Sequence, residues 1–211
     1  MRIFAIGVDI GQRVDHAAVC LAEILDSKAV VRALVKYPLG TPYPLLVETV
    51  VGMVNDVKRF GEISSFTVDA TGVGSVPASM FQEALPDIRV DFFIFTNKSK
   101  RELIGKVKVM HAFGRLRFAT RKGDEVYNRT LTELLEEMKQ LQAKVLREET
   151  GHPEVEVFKT GRHDDLFTAL ALALKDVSFP QGGPDVGFVK DDSWVKTPLD
   201  SSANEPNIMF F

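Results

Sequence analysis

A chain of 211 residues and 23.4 kDa with 45% hydrophobic content is long enough for one domain with a buried core and too short for two full ones. Its 26 Lys and Arg against 29 Asp and Glu give a formal charge of −3, which argues against a uniformly basic nucleic-acid binder but leaves room for a local basic surface. The one cysteine excludes an internal disulfide, no apolar run reaches the ~18 residues of a bilayer span, and the N-terminus enters a strand without a cleavage site, so an intracellular soluble protein is expected.

Three runs, 3 to 10, 17 to 25 and 28 to 37, are rich in β-formers and separated by turn residues, which predicts an antiparallel meander. Cys20 lies inside the apolar part of the second run and reads as a buried small side chain. Leu45, Leu46, Thr49, Val50, Met53, Val54 and Val57 then recur at helical spacing over 43 to 60, with Gly61 expected to end that helix. A strand over 64 to 69, a helix over about 75 to 84 with Pro77 in its first turn, and a strand over 89 to 95 form a right-handed crossover with parallel strands.

A helix follows over about 99 to 114, with Leu103, Val107 and Met110 on one side. It opens a basic segment in which Lys98, Lys100, Arg101, Lys106, Lys108, Arg115, Arg117, Arg121 and Lys122 face one acid, Glu102. The short run 116 to 119 precedes a helix over about 125 to 139. Two β-like runs, 141 to 148 and 154 to 158, flank Gly151 as a hairpin, and a last helix starts at Asp164-Asp165 and reaches about residue 176. The domain is expected to span 1–179. From residue 180 the composition turns to Pro, Gly and scattered acids, as in a flexible C-terminal tail ending in Ile208-Met209-Phe210-Phe211, either a docking peptide or a boundary sequence.

Three acidic stations stand out along this order. Asp9 closes Ile6-Gly7-Val8-Asp9, Asp69 closes Phe66-Thr67-Val68-Asp69, and Asp164-Asp165 opens the last helix. Carboxylates at two strand ends and one helix start can converge outside the carboxyl edge of a sheet and hold hard divalent cations. Two Mg²⁺ or Mn²⁺ so held would serve phosphodiester hydrolysis, one generating a nucleophile from water and the other stabilising the leaving oxygen. Four carboxylates packed together also repel, so at least one raised pKa is expected without metal. Taken singly each has a bland reading: Asp9 or Asp69 as a turn residue, Asp164 as a helix cap. That makes Asp165 the stronger metal-ligand candidate of the pair. Gly72 and Gly74 allow a tight turn after Asp69. His163 could orient a carboxylate or the attacking water, or cap the helix. Lys98, Lys100, Arg101 and Lys106 are candidate contacts to a DNA backbone, with no evident means of reading bases. Lys144 and Arg147 suggest that the hairpin touches DNA or covers the site.

The element order and the phrases Val8-Asp9-Ile10-Gly11, Val68-Asp69-Ala70-Thr71-Gly72-Val73-Gly74 and Gly161-Arg162-His163-Asp164-Asp165-Leu166 resemble the C-terminal nuclease domain of the large terminase subunit of tailed phages and related viruses, over residues 3 to 177. The resemblance implies a ribonuclease-H-like α/β fold with a mixed five-stranded central sheet flanked by helices and an added β-hairpin before the last helix. It implies that Asp9, Asp69 and one or both of Asp164 and Asp165 are the metal ligands, and the central-strand position of Asp9 makes it the candidate to bridge the two Mg²⁺ or Mn²⁺. It also implies an endonuclease on double-stranded DNA in the host cytoplasm, working with an ATPase motor domain, a small terminase subunit and a portal. The isolated domain is expected to be a monomer. Two departures stand out: Thr168 occupies a position that is acidic in many relatives, and no phosphate-loop motif is present. The chain is therefore expected to be a nuclease domain alone or a stand-alone relative. A Holliday-junction resolvase, an actin-like ATPase fragment and a non-catalytic DNA-binding module of the same fold are the alternatives.

Overall fold

The computed structural model describes residues 1–11, 15–26, 28–72, 75–119, 121–147, 153–159 and 164–178. Gly74, the hairpin turn at Gly151, His163 and the expected tail lie outside the described residues, as do the side chains of Lys144 and Arg147. The elements, in chain order, are β1 (Arg2–Asp9), β2 (Ala18–Leu25), β3 (Lys28–Lys36), α1 (Tyr43–Lys58), β4 (Gly61–Asp69), α2 (Ser75–Ala84), β5 (Val90–Phe93), α3 (Asn97–Ala112), β6 (Leu116–Phe118), α4 (Glu125–Gln140), β7 (Leu141–Arg147), β8 (Pro153–Lys159) and α5 (Asp165–Ala173).

Six strands form one mixed sheet in the order β5-β4-β1-β2-β3-β6. The meander and the crossover are as expected: β1, β2 and β3 pair antiparallel, whereas β4 pairs parallel with both β1 and β5. The sheet has one strand more than the five expected. Leu116–Phe118 pairs parallel with Ala29–Val31 and extends the β3 edge, a non-local pairing that three residues of sequence do not announce. β7 and β8 form the expected separate hairpin.

Alternation along the strands divides the core in two. Phe4, Ile6, Val8, Val19, Leu21, Phe66 and Val68 pack on one face with Leu46, Val50, Val54 and Val57 of α1 and Ala78 and Phe81 of α2. Ala18, Cys20, Ala22 and Val31 pack on the other with Leu103, Val107 and Met110 of α3, Leu131, Leu134 and Met138 of α4, and most of α5. Cys20 is fully buried there, and desolvation raises its thiol pKa, in keeping with its reading as a small core side chain.

Two local expectations need correction. Helix α1 ends before Gly61, and that glycine opens β4 instead; a Cβ on it would stand 2.2 Å from the Arg2 carbonyl oxygen, so the close approach of β4 to β1 requires its absence. Helix α3 starts two residues earlier than expected, because Thr96 and Ser99 close a reciprocal capping box.

Candidate active site

The carboxyl ends of β1 and β4 are adjacent. Val8 stands opposite Val68 in the parallel register, so the residues that follow, Asp9 and Asp69, end neighbouring strands on one rung, at the ~4.8 Å spacing of paired strands. Their neighbours Val8 and Val68 face α1 and α2, so both aspartates belong to the opposite face, with Gly7 and Thr67 two residues before them.

Helix α5 lies directly on that face. A Cβ on Gly7 would come within 2.1 Å of the Ala169 carbonyl oxygen and 2.3 Å of the Ala173 nitrogen, so glycine here lets helix backbone touch strand backbone. The alanines of α5 serve the same approach from the other side. The Oδ2 of Asp165 accepts a hydrogen bond from the His16 backbone N–H at 3.3 Å, and His16 lies two residues before Ala18, which pairs with Asp9. The three acidic stations therefore meet at one edge of the sheet.

Asp69 and Asp164, like Asp165, accept from particular donors. Asp69 Oδ1 accepts from the Thr71 N–H at 2.8 Å, closing a turn that Gly72 continues with φ 63°. Asp164 Oδ2 lies 3.1 Å from the Lys100 ammonium. Asp164 and Asp165 are both buried, at 7% and 3% exposure. Asp164 occupies the N-cap position of α5, but its side chain makes no capping hydrogen bond, so its reading as the helix cap is corrected: the carboxylate goes to Lys100. The imidazole Nδ1 of His16 is 2.8 Å from the Tyr37 carbonyl oxygen, an arrangement that calls for the Nδ1–H tautomer and fixes the segment entering β2.

Sequence reasoning missed a fifth carboxylate. Glu137 of α4, 8% exposed, accepts the Phe167 N–H of α5 on Oε2 at 2.8 Å. Burial pushes its pKa up to about 8; the Phe167 N–H and Lys36 act against that shift, and the charges of Asp165 and Asp164 add to it. Glu137 is not one of the four carboxylates for which a raised pKa was expected. A signal was present in the sequence: Glu137 sits three residues after Leu134 and one before Met138, on the buried stripe of α4.

The basic segment divides. The first turns of α3 face the acidic edge, where Lys100 meets Asp164, while Lys98 is exposed with its ammonium 4.0 Å from Glu102, and Arg101 is partly buried on the same turns. Lys106 lies further along α3. Its ammonium donates to the Lys175 carbonyl beyond the far end of α5, and burial pulls its pKa below the usual lysine range, so it ties two helices together. Arg121 is likewise occupied: it pairs with Asp124 at 3.1 Å and lies over the Tyr127 ring.

The donor set at this edge is all carboxylate oxygen, hard chemistry that suits Mg²⁺ or Mn²⁺ better than a soft metal. Among the described residues, no group of three or more His, Cys, Asp or Glu side chains is gathered so as to hold a metal ion. Three of the carboxylates bond instead to Lys100, the Thr71 N–H and the His16 N–H.

A mixed sheet with β1 and β4 parallel at its centre, helices on both faces and acids at the shared carboxyl edge defines a ribonuclease-H-like α/β domain. The chain has the fold of the large-terminase nuclease domains. It is similar to the large terminase nuclease from thermophilic phage G20c with bound magnesium, at 19% identity over 83% of this chain and 82% of that one, TM-score 0.60. It is similar as well to the human cytomegalovirus terminase nuclease domain soaked with manganese, at 13% identity over 82% and 83%, TM-score 0.58. Against the large terminase from another thermophilic bacteriophage, the match covers 84% of this chain and 40% of that one at 10% identity, TM-score 0.57. No protein-family model matches the sequence, and no curated protein matches it.

Proposed function

We propose that this chain is a divalent-metal-dependent endonuclease of the large-terminase type, hydrolysing phosphodiester bonds of double-stranded DNA, as in the cutting of concatemeric viral DNA during genome packaging. The observation that carries the reading is the placing of Asp9 and Asp69 on one rung of adjacent parallel strands, on the face where α5 begins with Asp164 and Asp165. An acidic edge of that kind repels a polyanion unless cations intervene, which is why carboxylates and phosphate meet through metal.

Asp9 and Asp69, with Asp165 and Asp164, would hold two Mg²⁺ or Mn²⁺. When bound, such ions supply Lewis acidity toward phosphate oxygens and make water acidic enough to attack near neutral pH. The chain's own residues do the rest. The β1–β4 pair fixes the separation of Asp9 and Asp69, and Gly7 sets the height of α5 above them. Lys100 holds Asp164, and with Lys98 and Arg101 it presents cationic charge beside the acidic edge for the flanking phosphates. Contacts of this type position a duplex without reading its sequence, so broad substrate preference follows. A motor ATPase, a small terminase subunit and a portal would be the partners of such a nuclease.

The test is cleavage of supercoiled plasmid and of a synthetic four-way junction in Mn²⁺, in Mg²⁺ and in EDTA, with Asp9→Ala alongside. Metal-dependent nicking and linearisation without junction preference, lost in Asp9→Ala, is the expected result. Symmetric junction cutting would move the assignment to a resolvase. Cleavage that persists in EDTA would overturn it.

A further inference from the structure

Helix α5 begins in a way that ordinary capping does not explain. The residue at its N-cap position, Asp164, makes no capping bond and turns to Lys100 instead, while Asp165 in the first turn accepts from the His16 N–H of another segment. Helix starts leave backbone N–H groups without intrahelical partners, and a buried one that stays unpaired is destabilising. Here the Phe167 N–H is taken by Glu137 Oε2 at 2.8 Å, across 30 residues of sequence and from a neighbouring helix. Glu137 itself is 8% exposed, beside Leu134 and Met138 of the core, where a polar group left without a hydrogen bond is costly.

We propose that Glu137 is a positioning residue, capping α5 in trans so that Asp164 and Asp165 are released from the helix end and turned to the acidic edge. The inference rests on the proposed nuclease reading for its consequence, but the geometric part stands by itself. An aspartate beside a helix start normally bonds back to the N–H groups of the first turn and is then lost to a ligand. With that duty moved to α4, the Asp165 carboxylate reaches the His16 segment beside β1 and the Asp164 carboxylate reaches Lys100 of α3. The same bond fixes the rotation of α5 about its axis, since Phe167 lies two residues beyond Asp165.

The test uses the full chain with Glu137→Gln, which keeps a carbonyl acceptor, and Glu137→Leu, which removes it at similar volume. In metal-free protein, NMR reads amide exchange at Phe167 and the carboxyl carbons of Asp164 and Asp165; calorimetric titration then reads Mn²⁺ affinity, and plasmid cleavage reads kcat and KM. Glu137→Leu is expected to speed Phe167 exchange about fivefold, the effect of a lost cap, to shift both carboxyl signals, and to weaken Mn²⁺ binding and kcat about tenfold or more at unchanged KM. Glu137→Gln is expected to restore all four. If Glu137→Leu does not fold, Glu137→Asp, which withdraws the carboxylate by one methylene, carries the same expectation. Unchanged carboxyl signals and kcat in a merely less stable Glu137→Leu protein would overturn the proposal, as would failure of Glu137→Gln to rescue. A wild-type chain that neither binds Mn²⁺ nor cuts DNA would defeat the nuclease reading alone, because the NMR measurements still decide the positioning role.

Discussion

Glu23 and Glu137 are buried carboxylates at opposite ends of the sheet, 3% and 8% exposed, and the fold treats them oppositely. Near the amino end of β1, Glu23 receives Arg2 at 2.7 Å and Arg32 at 2.7 Å. Burial works against its charge, but the two guanidinium groups prevail and hold its pKa below the usual carboxylate value. At the carboxyl edge, Glu137 has one backbone N–H and the distant help of Lys36, with Asp164 and Asp165 adding negative charge nearby, and its pKa rises to about 8. Charge is matched within the fold at the first end. At the second, the charges of Asp164 and Asp165 add to burial in opposing the charge of Glu137.

The comparison breaks most visibly in activity. Asp9→Ala and Asp69→Ala are each expected to abolish metal-dependent plasmid cleavage while the circular-dichroism spectrum and melting temperature hold or rise, since removing a carboxylate relieves repulsion. Full activity in either purified protein would detach these residues from the chemistry. Glu23→Ala is the converse case: about 3 kcal/mol of stability lost, the low end for breaking a buried pair because Arg2 keeps 31% exposure, with kcat unchanged where the protein remains folded. Denaturant unfolding checks it.

The two glutamates should also give pH dependences of opposite sign. Glu23 has a depressed folded pKa, so its stabilising contribution is present above its unfolded value of about 4.5 and is lost as pH falls through the folded pKa. Glu137 has a raised one. The folded state holds its proton where the unfolded state has released it, so its contribution is present below about 4.5 and declines as pH rises toward about 8. Urea midpoints measured across that range should slope downward with pH in the wild type and less so in Glu137→Gln; equal slopes would refute the shift at Glu137. The smallest effect belongs to the lysines. Lys100→Met should lower the salt dependence of duplex binding by about one counterion, whereas Lys106→Met should leave it unchanged, as fluorescence anisotropy over a salt series would show.

Much of this protein was legible in the sequence because the signals are local. Strand alternation and turn residues mark the meander, helical spacing marks α1, α3 and α4, and the resemblance of the element order to the ribonuclease-H-like plan implies that Asp9 and Asp69 are neighbours, as they are. Gly7, Gly61 and the sixth strand could not be assigned that way. Gly7 and Gly61 matter for what approaches them, the backbone of Ala169 to Ala173 and that of Arg2, and β6 exists only because the β3 edge is there to receive it.

The site divides along the same line. The sequence by itself determined which carboxylates stand at strand ends and at a helix start, since residue type and position in an element are both written along the chain. Only the tertiary structure decided which distant groups bond there: Asp164 to Lys100 across 64 residues, Phe167 to Glu137 across 30, and Lys106 to the Lys175 carbonyl across 69. The physical reason is that a hydrogen bond or an ion pair is made over about 3 Å of space, and packing alone determines which distant residues come within that reach.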